Sequence, residues 1–326
     1  MHILIITPYS LLPIDLYGGL QRMAWSLGKG LTALGHKVSY LCRKGSVCDF
    51  ATIITYNPEL SIMQQIPEGI DVLHFNVPLE ESCDRPYVET IHGNFNKKFS
   101  PNSIFLSKNH AERYGSKHFV YNGLDWDDYS PVDWSIKRSG FHFLGKAAWR
   151  VKNVRGAIKV AKSLPSELGK LHILGGDRFN FKMGWRFTLS PRIKFHGMVG
   201  GVEKSRLINS SNGLIFPVVW HEPFGLAVIE SLFYGTPVFA TTYGALPEIV
   251  TSDVGVLSNS SADLVQAICN SSFDMKRCHE YARDTFNAVS MAKGYIEKYE
   301  AVLNGQSLHS YQIIPQQSSN NTLLFK

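Results

Sequence analysis

No run in this 326-residue chain approaches the roughly 20 consecutive apolar residues that a membrane-spanning helix requires. The opening stretch, Met1-His2-Ile3-Leu4-Ile5-Ile6-Thr7-Pro8, lacks the basic region and small-residue cleavage site of a signal peptide. It reads instead as a buried first strand, and a cytoplasmic location is expected. Cysteine is scarce: Cys42, Cys48, Cys83, Cys269 and Cys278 are odd in number and scattered, with no Cys-x-x-Cys and no zinc-type Cys/His spacing. That argues against a disulfide framework or zinc site and for free thiols in a reducing compartment. The dinucleotide fingerprint Gly-x-Gly-x-x-Gly is missing, as is any repeat of solenoid period. Charged residues make up 18% of the chain with a net charge of +6, but Lys and Arg are dispersed. Nucleic acid is therefore an unexpected partner, whereas anionic small molecules or an anionic membrane surface suit the balance.

What the chain has is an alternation of short apolar runs with helical stretches, the pattern of parallel sheets covered on both faces. The fold class expected is α/β, with two Rossmann-like domains. Candidate strands in the first half are His2-Thr7, Lys37-Cys42, Ala51-Tyr56, Val72-Phe75, Tyr87-Ile91, Ser103-Leu106 and His118-Tyr121. The second half supplies Phe141-Leu144, Lys170-Leu174, Ile193-His196, Gly213-Phe216 and Pro237-Ala240. Turn-rich residues 121–133 mark a linker, so the domains predicted are 1–128 and 129–304, with 305–326 as a Ser/Gln/Asn-rich tail of low order. A helix near residues 291–303 is the candidate to cross back onto the first domain.

The densest chemistry lies in Glu222-Pro223-Phe224-Gly225-Leu226-Ala227-Val228-Ile229-Glu230, followed by Gly235-Thr236-Pro237-Val238. Pro223 suits a first helical turn and Gly235 a helix end, which predicts a helix over 223–234. The amides of Phe224, Gly225 and Leu226 would then offer donors and a positive dipole end to a phosphate. Glu230, on an otherwise apolar helix, calls for a polar partner such as sugar hydroxyls. A strand-helix-strand unit with two incidental glutamates is the plainer reading of the pair alone.

This string, with Gly244, Pro247 and Glu248 after it, resembles the signature of retaining glycosyltransferases of family 4. The resemblance implies the GT-B architecture, two domains facing across a cleft, and a nucleoside diphosphate sugar as donor. It places Glu230 on the ribose hydroxyls, Glu222 near the hexose and the amides of 224–226 on the diphosphate. Tyr17-Gly18-Gly19 before a helix over 23–34, with Gly35-His36-Lys37-Val38 after it, matches the same family, bringing Gly18 and Gly19 close to donor phosphate or acceptor. Asp15 lies on that loop without further signal.

Other pieces follow strand ends, where ligands of open α/β sheets gather. Gly145-Lys146-Ala147-Ala148-Trp149-Arg150-Val151-Lys152-Asn153 puts cations where a leaving diphosphate needs them. Lys152 matches the family's lysine. Lys146 stands where the family more usually has arginine, which leaves open whether Lys146 or Arg150 takes that role. His92 ends a first-domain strand and is the candidate next to sugar or acceptor. Gly175 and Met198, in loops ending two second-domain strands, fall where the family lodges base and ribose.

Asp125-Trp126-Asp127 has the form of a metal motif but follows Asn122-Gly123 at the linker, and reads as structural. With lysine and helix dipole taking the phosphate charge, no metal and no cofactor are called for. The function expected is retaining transfer of a hexose to a hydroxyl of a saccharide or lipid-linked acceptor, in cell-surface polysaccharide or glycolipid synthesis. Peripheral contact with the inner membrane face would suit the loop Phe95-Asn96-Lys97-Lys98-Phe99. The alternatives are a nucleotide-sugar epimerase of the same architecture and a catalytically silent partner of another transferase.

Overall fold

The computed structural model describes residues 1–14, 18–179, 188–316 and 322–326, which divide into two compact units. The first unit is built on β1 (His2–Thr7), α1 (Gly19–Ala33), β2 (Lys37–Cys42), β3 (Thr52–Thr55), β4 (Val72–Phe75), β5 (Tyr87–Thr90), β6 (Ser103–Ile104) and α2 (Lys108–Glu112). All pairings are parallel, in the order β3-β2-β1-β4-β5-β6. Ile3, Leu4, Ile5 and Ile6 are all fully buried, because a central parallel strand has helix or loop on both faces and no polar side to alternate with.

The second unit repeats the plan with β7 (Phe141–Leu144), α3 (Val154–Ser163), β8 (Leu171–Leu174), β9 (Ile193–Phe195), α4 (Gly201–Asn209), β10 (Leu214–Phe216), α5 (Leu226–Phe233), β11 (Val238–Ala240), α6 (Leu246–Ile249), β12 (Gly255–Leu257), α7 (Ser261–Asn270) and α8 (Met275–Thr285). Its order, β12-β11-β10-β7-β8-β9, is the first sheet's order again when strands are counted from β7. In both, the chain reverses direction across the sheet between its first and fourth strands, β1/β4 and β7/β10. Such switch points open crevices beyond the carboxyl ends of the strands.

The last helix, α9 (Ala288–Leu303), packs in the core of the first unit, where Met291, Ala292, Tyr295, Tyr299 and Val302 join Met23, Leu27 and Leu31 of α1. Its two tyrosines also reach polar groups. Tyr299 Oη lies 2.6 Å from His74 Nδ1, and Thr90 Oγ1 lies 2.9 Å from His74 Nε2 and 3.0 Å from Tyr295 Oη.

Several boundaries differ from the sequence expectation. Residues 118–121 form no strand and contribute a single bridge, Phe105 to Phe119, while β12 was not anticipated because three residues carry almost no periodicity. Helix α1 begins at Gly19, four residues before the predicted start, so Gly18 is its cap and Gly19 its first residue. Of the tail expected to be loose, residues 317–321 lie outside the described residues, and two earlier positions are anchored. Phe99 and Ile313 exchange backbone hydrogen bonds, Ile313 is wholly buried, and Ser116 Oγ lies 2.7 Å from His309 Nε2. One apolar side chain with two backbone bonds anchors a segment whose average composition suggests disorder.

Buried histidines give the fold a defined pH response. Burial lowers His74, His110 and His142 to about 3 each. In the unfolded chain they take protons near their ordinary value of 6.5, so unfolding binds protons below that pH. The stability from keeping them neutral is complete above pH 6.5 and drains away as pH falls toward 3. Denaturant titrations should show the unfolding free energy dropping by about 2 kcal/mol per histidine between pH 8 and 5, before most carboxylates titrate. A flat profile over that window would count against these burial assignments.

Candidate functional site

At the switch point of the second sheet, the loop after β7 and the loop after β10 are tied together by Val219 N–H donating to Val151 O at 2.8 Å. The first loop ends in a tight turn, Arg150–Lys152, closed by Asn153, whose left-handed backbone (φ 53°) lets its side chain accept from Gly156 N–H. That turn delivers Lys152 inward. Its ammonium lies 2.7 Å from Glu222 Oε2, and 5.4 Å and 4.9 Å from the rings of Phe216 and Trp220. Trp220 Nε1–H donates to the same carboxylate oxygen at 2.8 Å. Lys152 and Glu222, read separately from the sequence, are thus one buried pair, 9% and 6% exposed.

Glu222 is held by its own backbone. It bridges Gly244, and its carbonyl accepts from Ala245 N–H at 2.9 Å. Gly244 has φ +69°, and a Cβ there would meet Glu222 N and O at 2.3 Å. Gly244→Ala should therefore cost at least of order 1–3 kcal/mol from backbone strain alone and push Glu222 away from Lys152. A melting temperature equal to wild type would refute that account.

The helix after Glu222 starts later than expected. Gly225, at φ +110°, is the cap, and α5 runs from Leu226 to Phe233. Pro223 and Phe224 precede the helix, because a residue in the left-handed region cannot sit inside a right-handed first turn. Among the described residues the amides of Gly225, Leu226 and Ala227 have no acceptor, so the donors move one residue along from the predicted set. Phe224 contributes a buried ring.

Glu230, on the second turn of α5, is buried, and Lys204 and Tyr129 are among its partners. Lys204 Nζ lies 2.5 Å from its Oε1, and Tyr129 Oη–H donates to the same oxygen at 2.6 Å. The Lys204 ammonium also lies 5.2 Å from the Tyr129 ring. Lys204, Tyr129 and Trp220 were not among the predicted residues. The outcome is two buried lysine–glutamate pairs, one before and one within the helix whose free amides begin at Gly225.

The other second-unit candidates fall on the same sheet edge. Gly175, at φ +119°, ends β8, and a Cβ there would strike Gly145 O at 2.2 Å. Lys146 and Arg150 are exposed and have no carboxylate partner among the described residues; Lys146 Nζ lies 5.4 Å from the Trp149 ring. Met198, 41% exposed, follows β9.

In the first unit, His92 follows β5 and its Nε2 lies 2.8 Å from Asn76 Oδ1, at the end of neighbouring β4. Burial lowers His92 to about 4, so the ring is neutral near pH 7. Asn76 Nδ2 is buried without an acceptor among the described residues. A polar residue closing the apolar run of β4 was the available signal for Asn76. Gly18 and Gly19 open α1, and Asp15 lies outside the described residues. Asp125 pairs with Lys29 at 2.7 Å, in keeping with a structural reading. Among the described residues no group of three or more His, Cys, Asp or Glu converges as a metal site.

Residues 138–272 match the family model described as glycosyl transferases group 1. An uncharacterized glycosyltransferase of Methanocaldococcus jannaschii is 28% identical over 152 residues, 41% of this chain and 38% of its own. The chain spans about a third of the length of the curated relatives it matches. Among solved structures, AviGT4, a glycosyltransferase involved in avilamycin A biosynthesis, aligns with a TM-score of 0.75 over 93% of this chain and 98% of its own at 19% identity. HepE of Anabaena, in complex with UDP-glucose, aligns with a TM-score of 0.67 over 92% of this chain and 100% of its own at 16% identity. These likenesses show the fold, the two-domain α/β architecture of GT-B glycosyltransferases.

Proposed function

We propose that the chain transfers a hexose from a nucleoside diphosphate sugar to a hydroxyl acceptor with retention of anomeric configuration, without a metal. The observation that carries this reading is the pair of buried lysine–glutamate contacts flanking the unpaired amides of α5. Each carboxylate is neutralised by its own lysine, so a diphosphate can approach the helix N-terminus without facing two bare negative charges. The group 1 match over 138–272 and the UDP-glucose held by HepE support a nucleotide-sugar donor.

In this mechanism the Gly225, Leu226 and Ala227 amides hold the diphosphate and Glu230 accepts from the ribose hydroxyls. Glu222 orients the hexose. The bond from the anomeric carbon to the diphosphate oxygen breaks as the acceptor oxygen attacks from the same face, and the acceptor proton passes to the departing phosphate oxygen. Lys152 stabilises the charge growing on that oxygen, so catalysis rests on positioning and electrostatics. We assign acceptor handling to the first unit, through His92 with Gly18 and Gly19, and a saccharide or lipid-linked acceptor in cell-surface polysaccharide or glycolipid synthesis.

Thermal-shift screening of UDP-, GDP-, ADP- and dTDP-sugars should find at least one donor that raises the melting temperature. Transfer from that donor should give a product of unchanged anomeric configuration. Conversion of the nucleotide sugar alone into an epimer would replace the proposal, and absence of any stabilising nucleotide sugar would remove it.

A further inference from the structure

His92 leaves β5 at the carboxyl end of the first sheet with one ring nitrogen engaged. Its Nε2 lies 2.8 Å from Asn76 Oδ1, and among the described residues its Nδ1 has no hydrogen-bond partner. An amide oxygen can only accept, so this bond requires a proton on Nε2. Burial keeps the ring neutral near pH 7, which leaves one proton for two nitrogens and a lone pair on Nδ1. The side chain is half-buried, at the strand end where ligands of open α/β sheets gather.

Asn76 is itself held firmly. It follows β4 at the switch point of the first sheet, its backbone N–H donates to Ile6 O at 3.0 Å, and it is 3% exposed. Side chains alternate along a strand, so His74 and Asn76 share one face of the sheet. The side-chain bonds of Thr90 to His74 and of His92 to Asn76 put Thr90 and His92 on that face as well. On the far side of His92, His110 Nδ1 accepts from Leu106 N–H at 3.3 Å and its Nε2–H donates to Gly93 O at 3.2 Å, pinning the residue after His92. His74 from β4 and His110 from α2 are the titratable groups that interact with His92, and Arg113 stands by His110. Both histidines are neutral near pH 7.

Asn76 Nδ2 is buried without an acceptor among the described residues. A buried donor left unmade is destabilising, and an apolar side chain of similar size would spare the fold that cost. What asparagine supplies in return is Oδ1 on His92. We propose that Asn76 is the positioning residue of His92, fixing the Nε2–H tautomer so that Nδ1 accepts a hydrogen bond from a hydroxyl of the acceptor. The role of that hydroxyl rests on the proposed function; the tautomer does not.

The test uses the full chain with heavy nitrogen in its histidine rings. Two-bond proton–nitrogen correlation spectra separate the two neutral tautomers, and the signals absent from His92→Gln identify the ring. Wild type should show the proton on Nε2 near pH 7. In Asn76→Asp the proton either stays on the carboxyl, which then donates to Nε2, or moves to the ring as an ion pair; in both cases Nδ1 carries a hydrogen. Nδ1 regains its lone pair only when the pair loses one proton at higher pH. Release of UDP from UDP-glucose in the transfer reaction should therefore fall tenfold or more in Asn76→Asp at pH 7 and recover as pH rises. Asn76→Leu should lose activity equally at every pH and show a mixture of tautomers. A proton on Nδ1 in wild type would overturn the proposal without any variant having to fold. So would a pure Nε2–H tautomer in Asn76→Leu, or a flat pH profile in Asn76→Asp. Absence of UDP release by wild type would instead count against the donor reading, and the spectra would still decide the role of Asn76.

Discussion

Glu230→Ala will lower the unfolding free energy by about 3–5 kcal/mol, as expected when one member of a buried ion pair is removed. Lys204 is buried and its ammonium lies 2.5 Å from the missing carboxylate, so the substitution strands a cation away from water. Much of the cost belongs to that stranded charge. Glu230→Ala/Lys204→Met should therefore recover most of the lost stability, and failure to recover would show that the pair is not the cause. Function separates from stability in Glu230→Gln, which keeps the shape of the side chain and the acceptor for Tyr129. If Glu230 holds the ribose as proposed, the carboxamide gives up a charge-assisted acceptor, a loss of about 1.5–3 kcal/mol, or roughly ten- to a hundredfold in UDP affinity. Wild-type UDP affinity in Glu230→Gln would sink the ribose assignment.

The second large effect is on turnover. Lys152→Met keeps an unbranched stem against Phe216 and Trp220 but removes the cation that our proposal sets against the leaving oxygen. Because a group stabilising charge in the transition state acts on the chemical step, kcat should fall by about 10²–10³ with a smaller change in donor KM. The same substitution leaves Glu222 with Trp220 as its hydrogen-bond donor, so stability should fall as well. Lys152→Met/Glu222→Gln separates the two, since it removes the stranded charge without restoring the cation. Restored stability with turnover still low is the expected result. Restored turnover would show that Lys152 acts only by neutralising Glu222.

The sheets were legible because fully buried parallel strands are written as continuous apolar runs, and β1, β2, β4 and β7 lie where those runs are. Lys152, Glu222 and Glu230 were legible as chemistry out of place in such runs or at their ends. Their further partners, Lys204, Tyr129 and Trp220, were not. Lys204 sits in Gly-Gly-Val-Glu-Lys-Ser-Arg, where a lysine between Glu203 and Arg206 reads as part of a solvated helix face. Only tertiary packing of α4 turns it inward, while Glu203 and Arg206 remain outside as an exposed pair. Tyr129 lies in the linker, where no periodicity operates. The start of α5 was misplaced for a different reason: Pro223 satisfies the rule for a first helical residue, but Gly225 takes a left-handed conformation that defers the helix. Local preference was read correctly for one residue and overruled by the next but one.

The placement of α9 bears on how the protein is made. Gly30 of α1 admits no side chain because a Cβ would meet Ala288 O at 2.2 Å, and Gly123 is likewise closed by Asn287 O at 2.0 Å. The first unit's core is therefore shaped around residues that leave the ribosome more than one hundred and fifty positions after Gly123. Until then Met23, Leu27 and Leu31 lack the apolar face they pack against, and His74 lacks the hydroxyl of Tyr299. The nascent first unit must wait, partly uncovered, while the intervening chain is synthesised, and it is at this stage that chaperones have the most to protect.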